Sequence, residues 1–78
     1  MNVVHLQTVV RRATEVLAHP GDPVSPCVSV CRMDAQTDWC EGCLRSIDEI
    51  ACWSGMDGQA RRAVWQRIGA RAATLLQD

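Results

Sequence analysis

The sequence contains no lysine, no tyrosine and no phenylalanine, and only three of its residues are proline. With 47% hydrophobic and 22% charged residues, the composition is typical of a globular chain and excludes a disordered one. The apolar runs are far too short to cross a bilayer, so we expect no transmembrane segment and no membrane partner. Because residues 1–7 lack the basic start, continuous apolar stretch and cleavage site of a secretory signal, we expect a cytoplasmic protein with reduced cysteines.

The chain is also short, since its 78 residues can form one small hydrophobic core at most. A domain of this size buries only about 60% of the surface that its unfolded chain exposes, so the core alone gives marginal stability. Five cysteines are present. In a reducing compartment so many cysteines indicate metal or redox chemistry before disulfides, and a bound metal would supply the missing stability.

The charges are unevenly distributed along the chain, although the formal net charge is only −1. All eight basic residues are arginine, which can bind phosphate and carboxylate groups through two parallel hydrogen bonds. Acidic residues outnumber arginines between Asp22 and Glu49, whereas the segment from Gln59 to Ala73 has four arginines and no acid. The C-terminal segment is therefore the candidate for contact with an anionic partner.

Three segments of the chain are predicted to be helical. Residues 3–18 form an amphipathic pattern that the cluster at residues 20–23 ends with two prolines and a glycine. Ser46 and Glu49 fit a capping box at the start of a short helix, and Asp57 can cap a last helix at about 58–76. The apolar positions of the two long helices are Val3, Leu6, Val9, Val10, Ala13, Val16 and Leu17, and Val64, Trp65, Ile68, Ala72, Leu75 and Leu76.

These elements predict a small α-rich, metal-stabilised domain. An N-terminal amphipathic helix occupies residues 1–20, and a cysteine-rich metal-binding domain with two helices occupies residues 25–76. The second segment contains a four-cysteine loop or knuckle, a short helix and a longer C-terminal helix. We expect the loop to be irregular chain or a short hairpin, with turn-forming residues at 34–38.

Four cysteines form a C-x3-C-x8-C-x2-C pattern, in which a short loop joins two close pairs. They are Cys27, Cys31, Cys40 and Cys43. The second pair is typical of a metal knuckle, because two intervening residues allow both sulfurs to face one ion and Gly42 allows the backbone to turn. The pattern predicts one metal centre on four cysteines, either Zn²⁺ or an iron-sulfur cluster. Structural disulfides and redox-active thiols are the alternatives.

A wider pattern surrounds these cysteines. It consists of Pro26-Cys27-x3-Cys31, then Cys40-x-Gly42-Cys43-x-Arg45-Ser46-x-x-Glu49, then Trp53, Met56 and Arg62. This pattern resembles domain-of-unknown-function family 1289, small bacterial proteins often described as predicted iron-sulfur proteins, over roughly residues 25–71. The resemblance implies that the four cysteines are ligands of a bound metal or cluster, and it implies no established reaction.

The remaining polar residues form no catalytic constellation, so we expect neither an independent enzyme nor a small-molecule substrate. Cys52 falls outside the ligand pattern and is predicted to be a buried structural thiol. With four cysteines available, His5 and His19 are not needed as ligands, and we expect surface or helix-capping roles for both.

The leading functional hypothesis is a cytoplasmic metal-binding module that acts by binding a protein or RNA partner. RNA is the first candidate, because arginine suits phosphate and tryptophan suits stacking with bases, although a net charge of −1 opposes an autonomous RNA-binding domain. An iron-sulfur protein for electron transfer or redox sensing is the alternative. The residues predicted to support the metal or to contact the partner are Trp39, Arg45, Arg62, Arg67 and Arg71.

Overall fold

The computed structural model describes residues 2–27 and 32–77. This part of the chain forms three α-helices, α1 at Val3–Ala18, α2 at Ile47–Cys52 and α3 at Gly58–Leu76. One turn of 3-10 helix at Trp53–Gly55 follows α2. The predicted α-rich architecture and the order of its helices are therefore confirmed. None of these helices is both long enough and apolar enough to cross a membrane.

Polar side chains cap the start of each α-helix. Asn2 Oδ1 accepts hydrogen bonds from two backbone N–H groups in the first turn of α1. Ser46 and Glu49 form the predicted capping box at α2. Asp57 Oδ1 accepts a 2.8 Å hydrogen bond from a backbone N–H in the first turn of α3. Local sequence is thus sufficient to position the helix starts.

The hydrophobic core lies between α1 and α3, so residues 1–20 and 25–76 both contribute to it. The helices approach closely where a Cβ atom on Gly69 would lie 3.2 Å from the Cβ of Ala13. Trp65 is 1% exposed and so belongs to the core. Its ring nitrogen donates a 2.9 Å hydrogen bond to the carbonyl of Val24. The buried apolar side chains of the core are Leu6, Val9 and Ala13 from α1, Leu44 from the cysteine loop, and Val64, Trp65, Ile68 and Ala72 from α3.

The described part of the segment between α1 and α2 contains two isolated antiparallel bridges. Its bridges in the described residues pair Met33 with Cys40 and Trp39 with Ser46. A 2.8 Å backbone hydrogen bond between the first and last residues of 34–38 closes the turn. Of the two expected forms, irregular chain or a short hairpin, the segment combines both: the Met33–Cys40 bridge flanks the turn in a minimal hairpin without strands, and the turn lies at the predicted residues.

A buried carboxylate joins the cysteine loop to α2 and α3. Glu49 is 8% exposed, and its oxygens lie 2.7 Å from Arg67 Nε and 2.6 Å from Arg71 Nη1. It also accepts the Ser46 N–H at 2.8 Å, while Arg71 Nη1 donates to the Leu44 carbonyl at 2.8 Å. The sequence indicates only the capping role of Glu49, because its arginine partners are 18 and 22 positions away along the chain.

These contacts lower the pKa of Glu49 from 4.5 to about 2. Burial raises the pKa, but hydrogen bonds from Arg71, the Ser46 N–H and Arg67 outweigh it. A carboxyl group whose pKa is lowered by folding stabilises the fold above its ordinary pKa, and this stabilisation is lost as the pH falls through the folded pKa. The window for Glu49 therefore runs from pH 4.5 down to about pH 2.

We expect the Glu49→Gln variant to be less stable than the wild type at about pH 6, and most of this difference to disappear by about pH 2. A pKa shift of this size corresponds to on the order of 3 kcal/mol in the free energy of unfolding. Urea unfolding of both proteins across this pH range measures the difference, from which effects common to both proteins cancel. A difference that stayed constant over the range would contradict a charged, buried Glu49.

Candidate metal centre

Cys40 and Cys43, the second predicted pair of ligands, lie in a tight turn at residues 40–44 that we call the knuckle. Their exposed fractions are 1% and 4%. Within the knuckle the Leu44 N–H donates to the Cys40 carbonyl at 2.8 Å, and the Cys40 N–H donates to the Arg45 carbonyl at 2.8 Å. Both cysteines are therefore buried on a backbone that hydrogen bonds hold in place.

The sulfur of Cys40 accepts several backbone hydrogen bonds. The donors are the N–H groups of Cys43, Gly42 and Arg32. Burial raises the pKa of the Cys40 thiol, but these hydrogen bonds outweigh burial and the pKa lies below its ordinary value. Adjacent backbone N–H groups that point at one atom form a site suited to an anion. The knuckle therefore favours the thiolate of Cys40, which is the form that binds metals.

The sulfur of Cys43 lies beside a buried arginine. Burial raises the pKa of the Cys43 thiol, although a 3.2 Å hydrogen bond from Arg45 Nε acts in the opposite direction. Arg45 is only 4% exposed, and its guanidinium lies 5.5 Å from the ring centroid of Trp53. Arg45 thus places positive charge where a metal thiolate centre would carry negative charge.

Leu44 closes the knuckle in the left-handed backbone conformation, with φ of 61°. This conformation costs a residue with a Cβ atom about 1–2 kcal/mol, and glycine usually occupies it. The sequence predicts that Gly42 allows the turn, but none of the described glycines has a positive φ. Leucine is used because its side chain is fully buried in the core, at 0% exposure, which offsets the backbone cost.

The first predicted pair is described only in part. Cys27 is exposed, and Cys31 lies outside the described residues. Within residues 2–27 and 32–77, no three His, Cys, Asp or Glu side chains lie close enough together to hold a metal ion. The donor chemistry of the knuckle fits a thiolate centre, because both of its sulfurs are buried and accept N–H hydrogen bonds.

A histidine from α1 contacts the knuckle. His5 Nε2 lies 2.9 Å from the carbonyl oxygen of Gly42 and 3.1 Å from that of Glu41, the two residues between Cys40 and Cys43. The expected surface or capping role of His5 is therefore wrong. No local pattern could have revealed the contact, because the partners are 36 and 37 positions away along the chain.

The other predicted contact residues have partners inside the molecule. Arg62 donates to backbone carbonyls in the last turn of α1 and in the loop that follows it. Arg67 and Arg71 are both paired with Glu49. Trp39 is half-buried, and the guanidinium of Arg71 lies 5.0 Å from its ring centroid. These side chains, which the sequence offers as RNA contacts, all contribute to the fold.

Cys52 is exposed, so the prediction of a buried structural thiol is wrong. The residue lies at the C-terminal end of α2, a helix of six residues in which only Glu49 is buried. The core is formed instead by α1, α3 and Leu44, which leaves the end of α2 at the surface.

The residues around the knuckle identify the family of the chain. The family described as "Protein of unknown function (DUF1289)" matches residues 25–72, more than half of the sequence, and the chain belongs to this family. The matched segment includes the cysteine loop, α2 and most of α3, and it leaves out α1. No curated protein and no solved structure matches the chain.

The left-handed backbone of Leu44 leads to a prediction about its substitution by alanine and by glycine. Truncating a buried leucine to alanine costs about 2–5 kcal/mol in the free energy of unfolding. Because glycine would also relieve the left-handed backbone, we expect Leu44→Gly to be more stable than Leu44→Ala by about 1 kcal/mol. Denaturant unfolding of the two variants measures this difference.

Ile68 provides the matched control, because it is equally buried but lies in an ordinary helical conformation in α3. There the order should be reversed, with Ile68→Gly less stable than Ile68→Ala by about 0.5–1 kcal/mol. The same order at both positions would contradict backbone strain at Leu44.

Proposed function

We propose that this protein is a small metal-binding domain in which Cys27, Cys31, Cys40 and Cys43 hold one metal centre as thiolates. The observation that carries the proposal is the environment of Cys40 and Cys43, whose buried sulfurs accept three backbone N–H groups and one arginine N–H. Metal-free thiols need no such set of donors, whereas thiolates that bind a metal do.

The metal would supply stability that the small core cannot. A structural zinc site on four cysteines contributes on the order of 10–16 kcal/mol at neutral pH. An iron-sulfur cluster would use the same ligands and would add electron transfer. Four thiolates around Zn²⁺ carry a charge of −4 + 2 = −2, which the buried guanidinium of Arg45 would partly neutralise.

Binding, rather than catalysis, is the activity that such a site supports. Four protein thiolates complete the coordination of Zn²⁺ and leave no position for a reacting water. We therefore infer that the metal holds the cysteine loop in shape and that the exposed surface of the domain binds another macromolecule.

A protein is a better candidate for this partner than RNA. Seven of the eight arginines have partners inside the molecule, which leaves less of their charge for an RNA backbone. Near the hairpin the exposed side chains include Asp38 and Asp48, whose carboxylates repel phosphate. The apolar Ile47 is also exposed there and suits contact with a protein. The arginines with internal partners are Arg12, Arg32, Arg45, Arg61, Arg62, Arg67 and Arg71.

Metal content tests the proposed centre. Protein purified without oxygen should contain one metal centre per chain, and its visible spectrum should distinguish a coloured iron-sulfur cluster from colourless zinc. We expect serine at any of the four cysteine positions to reduce the metal content and lower the melting temperature, because the metal is lost and the fold loses its cross-link.

Cys52→Ser is the matched control for these variants, since Cys52 is exposed and lies outside the ligand pattern. This variant should retain wild-type metal content and melting behaviour. If the four ligand variants also retained both, the cysteines would not form a metal centre.

RNA binding tests the inferred class of partner. We expect the metal-loaded protein not to retain single-stranded RNA in a filter-binding assay, even at low salt, because its arginines are engaged. Retention that fell as the salt concentration rose would overturn the inference in favour of RNA.

The variants for this assay should avoid Arg67 and Arg71, because removing either side chain would take away one of the two ion-pair partners of the buried Glu49 and disturb the fold. Arg11 and Arg32 are exposed and suit the test, so loss of RNA retention in the Arg11→Ala/Arg32→Ala double variant would locate an RNA-binding surface.

A further inference from the structure

The partners of His5 in the knuckle determine which group donates the hydrogen bond. Both groups that face His5 Nε2, the carbonyls of Glu41 and Gly42, can only accept hydrogen bonds. Nε2 must therefore carry a hydrogen, which the two carbonyls share at 3.1 Å and 2.9 Å. His5 is thus a hydrogen-bond donor to two of the three peptide groups between the proposed ligands Cys40 and Cys43.

The same two peptide groups donate to the sulfur of Cys40. The peptide whose carbonyl belongs to Glu41 carries the N–H of Gly42, and the peptide whose carbonyl belongs to Gly42 carries the N–H of Cys43. Both of these N–H groups are donors to Cys40. Each peptide therefore accepts a hydrogen bond from His5 at its oxygen and gives one to the sulfur at its nitrogen.

Hydrogen bonds in such a chain strengthen one another. A donor at the carbonyl oxygen draws electron density through the conjugated peptide and makes its N–H more positive. Here one imidazole acts on two peptides at once, and both point their N–H groups at the same sulfur. The imidazole can therefore act on the Cys40 sulfur without touching it.

We propose that His5 is a positioning residue of the metal centre, which orients and polarises the two knuckle peptides so that they hydrogen bond more strongly to the Cys40 thiolate. This inference rests on the proposed metal-binding function. It assigns a role to a residue of α1, which lies outside the segment that matches the family.

Two effects on a bound metal follow. Stronger N–H hydrogen bonds stabilise the lone pairs of the thiolate, so they raise the energy needed to move an electron from sulfur to the metal. They also hold the knuckle in its binding geometry. Substitution of outer partners at metal sites lowers metal affinity by ~10–100-fold, and since His5 acts one bond further out, we expect a loss of up to about tenfold.

The test compares His5→Phe, which keeps a ring but removes the donor, with His5→Gln, whose side-chain amide nitrogen can reach the position of Nε2 and donate two hydrogens. Gln7→Ala is the control, because Gln7 is exposed on the same helix. The probes are Co²⁺, whose sulfur-to-metal absorption reports thiolate bonding, and Zn²⁺, with which the amide proton shifts of Gly42 and Cys43 are recorded by NMR.

We expect His5→Phe to move both amide protons to higher field and the Co²⁺ absorption to lower energy, because the N–H hydrogen bonds to sulfur weaken. His5→Gln should restore both signals, and Gln7→Ala should leave them unchanged. A merely structural role for His5 would lower stability without this paired change and without rescue by glutamine.

The outcomes separate this inference from the function on which it rests. If the wild type binds Co²⁺ through thiolates and His5→Phe changes neither signal, or if glutamine fails to restore them, the role of His5 is overturned and the metal centre remains. If the wild type gives no sulfur-to-Co²⁺ absorption at all, the metal centre and the role of His5 are both overturned.

Discussion

Glu49 lies where the cysteine loop, α2 and α3 meet, and the relative position of these elements depends on its charge. An ionised carboxylate is costly to bury, by several kcal/mol, unless it is paired and hydrogen-bonded. Here Arg67, Arg71 and the Ser46 N–H satisfy it. Arg71 also donates to the carbonyl of Leu44 and so holds the knuckle beside α3. Loss of either arginine would leave the buried carboxylate with only one ion-pair partner, so its charge would be less fully compensated.

All basic residues of the chain are arginine, which suits a fold held by hydrogen bonds from one side chain to several groups. A guanidinium has five donors in a rigid plane and can bind two groups at once, whereas an ammonium group acts as a compact point charge. Arg61 donates to the carbonyls of Trp53 and Ser54, and Arg62 joins the end of α1 to α3. Throughout the described part of the chain, every buried side-chain nitrogen or oxygen has a hydrogen-bond partner. The arginines thus connect loops to helices in a chain too short to do so through its core alone.

α1 completes the domain in two ways, although the family match does not include it. Its apolar face forms one side of the core, through Leu6, Val9 and Ala13. Its first turn places His5 on the knuckle carbonyls. Packing of α1 on α3 and the geometry around the cysteines are therefore linked, since displacement of the helix would remove both the core contact and the hydrogen bonds.

The sequence by itself determined the helices, their caps and the position of the hairpin turn, because each depends on residues within about four positions of one another. The hydrogen bond between Arg45 and Cys43 is also local, since the two residues are two positions apart. Only the tertiary structure decided that His5 contacts the knuckle, that Glu49 binds two arginines and that Cys52 is exposed. The physical reason is that the partner of a polar side chain depends on which distant elements pack beside it. In this chain the packing of α1 and α3 sets which residues lie next to one another.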